Sequence, residues 1–282
     1  MTLTIITINR NNSVGLEKTM RSVASQIGVD FEYVVIDGAS TDGSVEVIRS
    51  FEASFCGRLK WISEPDKGIY SAMNKGIGMA TGDYLQFLNS GDCLASEDVT
   101  QRMLQALESN EYPSILYGNM LKDIPDGKIL RDRCFAGRKI SFLGFYTGTL
   151  NHSPAYIRRN LFEKYGRYDE NLKIVSDWKW YLQAIILGEE SPFYVNIDVT
   201  LFDMTGISET NKALDKAERK RTLSELIPSS ILADYDCWSS SIGQMKRLKR
   251  HPWAYRIVRF LERVLFKIEK RRIRKGGEYE YY

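Results

Sequence analysis

The sequence predicts an α/β domain over residues 1–208, built on a mostly parallel sheet flanked by helices, and a helical, basic and amphipathic extension over residues 209–282. Three observations carry this reading. Short apolar, β-branched runs alternate with stretches of helical period, which implies right-handed βαβ units. Three of those runs stop on polar clusters, at Asn9-Arg10-Asn11-Asn12, at Asp37-Gly38-Ala39-Ser40 and at Asn89-Ser90-Gly91-Asp92. The charge is also uneven. From Ile242 onward there are 13 Lys and Arg against 4 Asp and Glu, whereas the rest of the chain holds 26 against 32.

The elements follow in order. LTIITI is the first strand, and Leu16, Met20, Val23 and Ile27 then recur at helical spacing. FEYVVID is the second strand, closed by GASTDGS, and Ser44 to Phe55 reads as a helix with Val45, Ile48 and Phe51 inward. RLKWIS is the third strand, Gly68 to Met79 a helix and DYLQFL the fourth strand. SILYGNMLKD and GKILRDRCF, joined by IPDG, read as a hairpin. SPAYIRR and PFYVNID are later strands, and Ser176 to Leu187 is a helix with Ser176 or Asp177 at its start. Helical pattern returns from about Glu209. In open α/β sheets ligands sit beyond the carboxyl ends of the strands, so the three polar clusters should face one crevice.

Composition excludes several classes. The four cysteines are scattered, no C-x-x-C pair occurs and only two histidines exist, so a Cys/His zinc site is not expected. Unpaired thiols suit a reducing cytosol. The N-terminus lacks the basic and apolar regions of a signal peptide. No run of about 18 apolar residues is present, so no membrane-spanning helix is expected.

The polar clusters carry the chemistry. Asp37 either closes a turn or accepts hydrogen bonds from a nucleobase N–H or ribose hydroxyls, and Asp42 reads as a helix cap. Asp92 either caps a turn or ligates a hard cation such as Mg²⁺ or Mn²⁺. One carboxylate suffices for that if a diphosphate supplies further oxygens. Asp66 and Lys67 precede a helix N-terminus at Gly68, a place that favours anions. Asn74 lies one to two turns inside that helix.

The ordered set TIITINRNN, VVIDGASTDGS, SEPDKGIYSAMNKGIGMATGDYLQFLNSGD, NHSPAYIRR and IVSDWKWYLQ resembles a family 2 glycosyltransferase with a GT-A, Rossmann-like fold, of the kind that builds bacterial surface polysaccharides. The resemblance implies a nucleotide-sugar donor, most often a UDP-sugar, bound at the first two strand ends. Thr7, Asn9 and Asp37 would lie there, with Asp66, Lys67, Asn74, Asn89, Ser90 and His152 as further donor contacts. NSGD falls where the family carries its D-x-D metal motif, which makes Asp92 the metal ligand for Mn²⁺ or Mg²⁺ and leaves uncharged Asn89 at the first aspartate position. Asp177 matches the family's acidic motif for the catalytic base. Many relatives carry Glu-Asp there, where this chain has Ser176-Asp177. Inverting transfer needs such a carboxylate to take the acceptor proton opposite the leaving diphosphate. His152 would bond the donor phosphate or the acceptor. Residues 203 to 210, DMTGISET, resemble a flexible Gly-Ile-Ser lid. The acceptor class so implied is a lipid-linked saccharide.

The extension has Ile257, Phe260, Leu261, Val264, Leu265 and Ile268 in one helical stripe, with Arg256, Arg259, Arg263, Lys267 and Lys270 on the other side. This pattern fits a helix docked on protein, or one lying on an anionic membrane, where each basic residue contributes about 1 kcal/mol. The membrane reading places the protein on the inner face of the plasma membrane. No nucleic-acid-binding motif occurs, and the acidic body argues against a nucleic-acid partner. Two rivals stand beside the transferase. A sugar-phosphate nucleotidyltransferase would need a Gly-rich loop after the first strand, and ITINRNN has no glycine. A non-catalytic nucleotide- or sugar-binding partner in an assembly complex is the other.

Overall fold

The computed structural model describes residues 1–124, 127–204, 206 and 210–274. The chain forms two compact units, Met1–Thr222 and Leu223–Tyr282. Residues 210–222, assigned from sequence to the extension, therefore group with the first unit.

In the first unit β1 (Leu3–Asn9), β2 (Glu32–Asp37), β3 (Leu59–Ser63) and β4 (Tyr84–Phe87) are parallel in the order β3-β2-β1-β4. They are joined by α1 (Ser13–Ala24), α2 (Ser44–Phe51) and α3 (Ile69–Met79). All seven residues of β1 are buried, as expected of a central strand covered on both faces. The chain winds outward from β1 through β2 to β3 and then returns to β4 on the other side of β1. That reversal opens a crevice at the strand ends. Register places Asn9 beside Asp37 and Asp37 beside Ser63, so the polar ends of three strands are level. Helix α3 lies directly on β1. A Cβ on Gly76 would come 2.5 Å from Ile6 Cγ2, so only glycine allows this approach.

Beyond β4 the sheet is mixed. β4 pairs antiparallel with β8 (Ala155–Arg158), β8 antiparallel with β6 (Ile115–Ile124), and β6 parallel with β9 (Phe193–Phe202). β5 (Cys93–Leu94) pairs antiparallel with β9, and β7 (Lys128–Asp132) completes the expected hairpin with β6. Its turn includes residues 125 and 126, outside the described residues. The parallel character read from sequence thus belongs to the N-terminal half.

Helix α4 (Val99–Ser109), absent from the sequence reading, packs Val99, Met103 and Leu107 into the core. Two short helices follow, α5 (Phe142–Thr147) and α6 (Leu161–Lys164). The expected helix from Ser176 is two pieces, α7 (Ser176–Tyr181) and a π-helical turn over Leu182–Leu187. The first expected helix ends at Ala24, which leaves Ile27 outside it and 55% exposed. There the Gln26 amide donates to the Ser22 and Ser96 carbonyls and turns the chain. The helix from Ser44 gives way at Glu52 to a 3-10 turn that buries Phe55, and Val47 rather than Val45 joins Ile48 and Phe51 at the core.

Helix α8 (Lys212–Leu226) runs through the boundary between the units. The second unit continues with α9 (Ser229–Lys249) and α10 (Pro252–Arg274). On α10, Trp253, Ile257, Phe260, Leu261, Leu265 and Ile268 are each more than half exposed. No described helix is long and apolar enough to cross a membrane. All four cysteines are free.

Glu32 ties the edge of the parallel half together. It accepts from the Thr4 hydroxyl at 2.6 Å and from the Thr81 N–H at 2.8 Å, and it pairs with Lys60. Burial works to raise its carboxyl, but these partners outweigh burial and hold it at about 2. Its folded value lies below the unfolded one, so its stabilisation is complete above the ordinary glutamate range and is lost as pH falls toward 2. Glu32→Gln should cost about 1–2 kcal/mol at pH 7, after allowance for solvent screening. Denaturation of both forms from pH 7 down to pH 3 should show the gap narrowing.

Candidate active site

A cleft of 1030 Å³ opens at the strand ends. It gathers Asn9, Asp66, Asn89, Ser90, Asp92, His152 and Asp177. They arrive on five segments: the end of β1, the loop before α3, the turn after β4, which carries Asn89, Ser90 and Asp92, the loop before β8, and the first turn of α7.

The Asn89–Asp92 turn is built tightly. Gly91 takes φ +107°, a conformation that an L side chain resists, and a Cβ there would meet Asp203 Oδ2 at 2.5 Å. The Gly91 N–H donates to Thr19 Oγ1, and the Thr19 hydroxyl lies 2.7 Å from the Asp92 carbonyl. Asp92 is 2% exposed. Its Oδ1 accepts from the Asp203 N–H at 2.9 Å, and its Oδ2 is buried without a protein partner. Burial pushes this carboxyl up to about 7. Asn89 Oδ1 is likewise buried and unpartnered. Two oxygen donors left short of partners at one cleft wall fit a hard divalent cation, which takes oxygen ligands. Among the described residues no group of three or more His, Cys, Asp or Glu could hold a metal alone, so further ligands would come from the bound substrate.

Across the cleft, Asp177 Oδ1 accepts from the Tyr70 hydroxyl and from the Trp178 N–H, each at 2.9 Å. Its Oδ2 lies 3.0 Å from His152 Nδ1, and His152 Nε2 lies 3.3 Å from Asn89 Nδ2. A carboxylate only accepts, so the imidazole carries its proton on Nδ1 and Nε2 meets the Asn89 amide. His152 therefore links Asp177 to the Asn89–Asp92 turn. Burial works to raise Asp177, but His152, Tyr70 and the Trp178 N–H outweigh it and hold the carboxyl below its ordinary value. Burial works to lower His152, but its bond to Asp177 and the charges of Asp177 and Asp92 outweigh it and raise the imidazole.

Four residues singled out from sequence do not line the cleft. The Thr7 hydroxyl donates to the Leu88 carbonyl and accepts from Tyr33, bracing β1 against the end of β4. Asn74 gives its whole amide to Tyr168 and Glu170. Lys67 is exposed beside the cleft. Asp37 is fully buried in the floor, where it accepts from Asn9 Nδ2, the Ser40 N–H and the Ser40 and Ser63 hydroxyls. Burial works to raise its carboxyl, yet these bonds hold it below its ordinary value. Asp66 does line the cleft and accepts from the Gly68 N–H ahead of α3. Asp42 serves two helix starts, accepting from the Ser44 N–H and the Ser13 N–H. Trp178 and Trp180 are both core residues at 1% exposure.

Sequence reading placed Arg10 in a cluster facing the crevice but missed Tyr70, Lys173, Lys212 and Arg219 as cleft residues. The Arg219 guanidinium sits 4.7 Å over the Trp178 ring, and Nη1 donates to the Gly148 carbonyl at 3.0 Å. Its local partner is Asp215, an ordinary i,i+4 pair, and the two contacts that bring it to the cleft, Trp178 and Gly148, lie far back in the chain. In the Gly-Ile-Ser segment, residues 205 and 207–209 lie outside the described residues.

Comparison with known proteins agrees with this geometry. The model of the family described as glycosyl transferase family 2 matches residues 4–166. A Mycobacterium tuberculosis protein described as an uncharacterized glycosyltransferase is 34% identical over 209 residues, 73% of this chain and 76% of that one. The PGL/p-HBAD biosynthesis glycosyltransferase of Mycobacterium bovis BCG is 28% identical over 221 residues, 77% of this chain and 82% of its own. Among solved structures, S. aureus TarS 1-349 in complex with UDP-GlcNAc superposes with a TM-score of 0.61 at 17% identity, over 74% of this chain and 61% of that one. The mannosyltransferase PcManGT from Pyrobaculum calidifontis, in complex with GDP-Man and Mn²⁺, gives 0.58 at 16%, over 73% and 58%. This chain thus spans about three-fifths of those structures, and the likeness is one of fold.

The Asp92 carboxylate, with one oxygen unpartnered, has a measurable cost. Its folded value lies above that of the unfolded chain, so its ionisation opposes folding as pH rises toward 7 and beyond. Asp92→Asn should therefore raise the melting temperature at pH 8 in EDTA. Added Mn²⁺ should stabilise the native protein by mass action and should do so far less in the variant. Differential scanning fluorimetry with and without Mn²⁺ checks both arms.

Proposed function

The chain belongs to glycosyl transferase family 2, and from that premise we propose that it is an inverting transferase that moves one sugar from a nucleoside-diphosphate donor to a hydroxyl of a lipid-linked saccharide. Its activity as a glycosyltransferase follows from the family and from the glycosyltransferase relatives. The donor class we assign is a UDP-sugar, in keeping with the UDP-GlcNAc complex of a protein of the same GT-A fold. The pathway we assign is bacterial polysaccharide assembly.

One observation carries the mechanism: a single cleft holds both Asp92, with an unpartnered oxygen, and Asp177. Asp92, with Asn89 Oδ1 beside it, would hold a Mn²⁺ or Mg²⁺ ion, which when bound offsets the charge of the departing diphosphate. Asn9, Arg10 and Asp66 at the strand ends form the donor side of the cleft, over the floor that Asp37 stiffens. Asp177 has about four lone-pair sites and three protein donors. The remaining site is on Oδ2, and it takes the proton of the acceptor hydroxyl. The partners that hold Asp177 below its ordinary value keep it ionised and ready for this step. His152 fixes the carboxylate in place, and direct displacement forms no covalent enzyme intermediate.

The second unit supplies the place of action. α10 exposes Trp253, Phe260 and Leu265 along with Arg256, Arg259 and Lys267, the composition of an interfacial helix on an anionic surface. We assign it to the inner face of the plasma membrane, beside a lipid-linked acceptor.

Asp177→Asn should lower kcat on the order of 10²-fold or more, with donor affinity nearly unchanged. Isothermal titration with UDP and Mn²⁺, run beside a turnover assay, checks this, and loss of UDP binding in the variant would count against the base role. Co-sedimentation should show binding to vesicles containing phosphatidylglycerol and little to pure phosphatidylcholine. The difference should shrink at high salt.

A further inference from the structure

We propose that Glu218 is a positioning residue for the proton-accepting side of the cleft, holding the segment that delivers Asp177. The assignment rests on the transferase reading above. Glu218 lies on α8 and is 6% exposed. Its Oε1 accepts from the Lys173 N–H at 2.8 Å, and its Oε2 accepts from the Ile174 N–H at 2.9 Å and the Val175 N–H at 3.3 Å.

Three successive backbone N–H groups converging on one carboxylate form an anion nest, here filled by the protein's own side chain. Bonds of this charge-assisted kind are about twice as strong as neutral ones. Among the described residues no lysine or arginine forms an ion pair with Glu218, so its carboxylate serves the backbone. Those three residues lead directly into α7, whose N-cap residue, Val175, offers no side-chain cap. Glu218, 43 to 45 positions away, instead holds the N–H of that residue and of the two before it.

The nest connects to the base by a short path. The Tyr70 hydroxyl lies against both the Ile174 carbonyl and Asp177 Oδ1. A shift of the 173–175 segment therefore moves the hydroxyl and the carboxylate together. Arg219, the next residue, grips α7 from the Trp178 side, and the Trp178 Nε1–H donates to the same Gly148 carbonyl at 3.1 Å. Removing the Glu218 carboxylate leaves three N–H groups without their acceptor in a largely buried segment, which must then reorganise. A misplacement of about 1 Å at a reacting group costs on the order of 10²-fold in rate.

The test compares the wild-type chain with Glu218→Ala, Glu218→Gln and Glu32→Gln, the last a destabilised variant remote from the cleft. Turnover is read as UDP release from UDP-GlcNAc with Mn²⁺. Glu218→Ala should lose about 10²-fold in kcat with donor KM within about twofold, and Glu218→Gln, which keeps one accepting oxygen, should lose less. Glu32→Gln should lose melting temperature and keep its kcat. A folded Glu218→Ala with wild-type kcat overturns the proposal, as does a loss that lies in donor KM or one that Glu32→Gln shares at equal loss of melting temperature. Hydrogen exchange provides an arm that needs no turnover. Amides 173–175 should be protected in the wild type, and that protection should vanish in Glu218→Ala and spread into α7. Wild-type amides that exchange freely would also overturn it. A wild-type chain that shows this protection yet releases no UDP would overturn the UDP-GlcNAc donor reading instead.

Discussion

Burying a carboxylate is costly unless donors reach its oxygens, and this cost organises the whole catalytic unit. Asp37 is met by four donors in the floor, Glu218 by three backbone N–H groups, and Asp177 by a tyrosine hydroxyl, a backbone N–H and an imidazole. Asp92 receives one donor, from Asp203. The well-supplied carboxylates are scaffold or are held for use, and the short-changed one faces the cleft. Donor count sorts these acids by role more clearly than their positions at strand ends do. Asp37, in the most suggestive motif of the chain, is the most thoroughly satisfied by protein alone.

That ordering explains what the sequence could and could not reveal. The four parallel strands were legible because β-branched runs and their polar endings are local patterns, and the register that levels Asn9, Asp37 and Ser63 follows from them. The hairpin of β6 and β7 was legible for the same reason. The mixed half of the sheet was not, since β4 pairs with a strand some 70 residues later and no period records that. Likewise Thr7 and Asn74 sit in motifs, yet Leu88, Tyr168 and Glu170 claim their polar atoms from far along the chain. Tyr70 and Glu218 are the converse case, ordinary residues in ordinary helices until the fold brings Tyr70 to Asp177, 107 positions on, and Glu218 to Lys173, 45 positions back.

The departure at Asn89 gains a physical context from His152. An amide in this position gives Nδ2 to the imidazole and keeps Oδ1 for the cleft, without adding a third negative charge near Asp92 and Asp203. The imidazole thereby joins the Asn89 turn to Asp177 through one ring. Proton placement on that ring sets which way the Asn89 amide turns. Asp177 and Asn89 are therefore joined through a hydrogen-bond chain in which each link fixes the direction of the next.

The course of α8 bears on how this protein can be divided. A family match ending at residue 166 and a motif series ending near 208 both invite a minimal catalytic fragment without the basic helices. Such a fragment would discard Asp215, Glu218 and Arg219, and with them the clasp on the 173–178 segment. The modular edge of this enzyme lies inside a helix rather than in a loop. Swapping extensions between relatives would respect the active site only if the exchange were made after Thr222, with the first three turns of the helix travelling with the catalytic half.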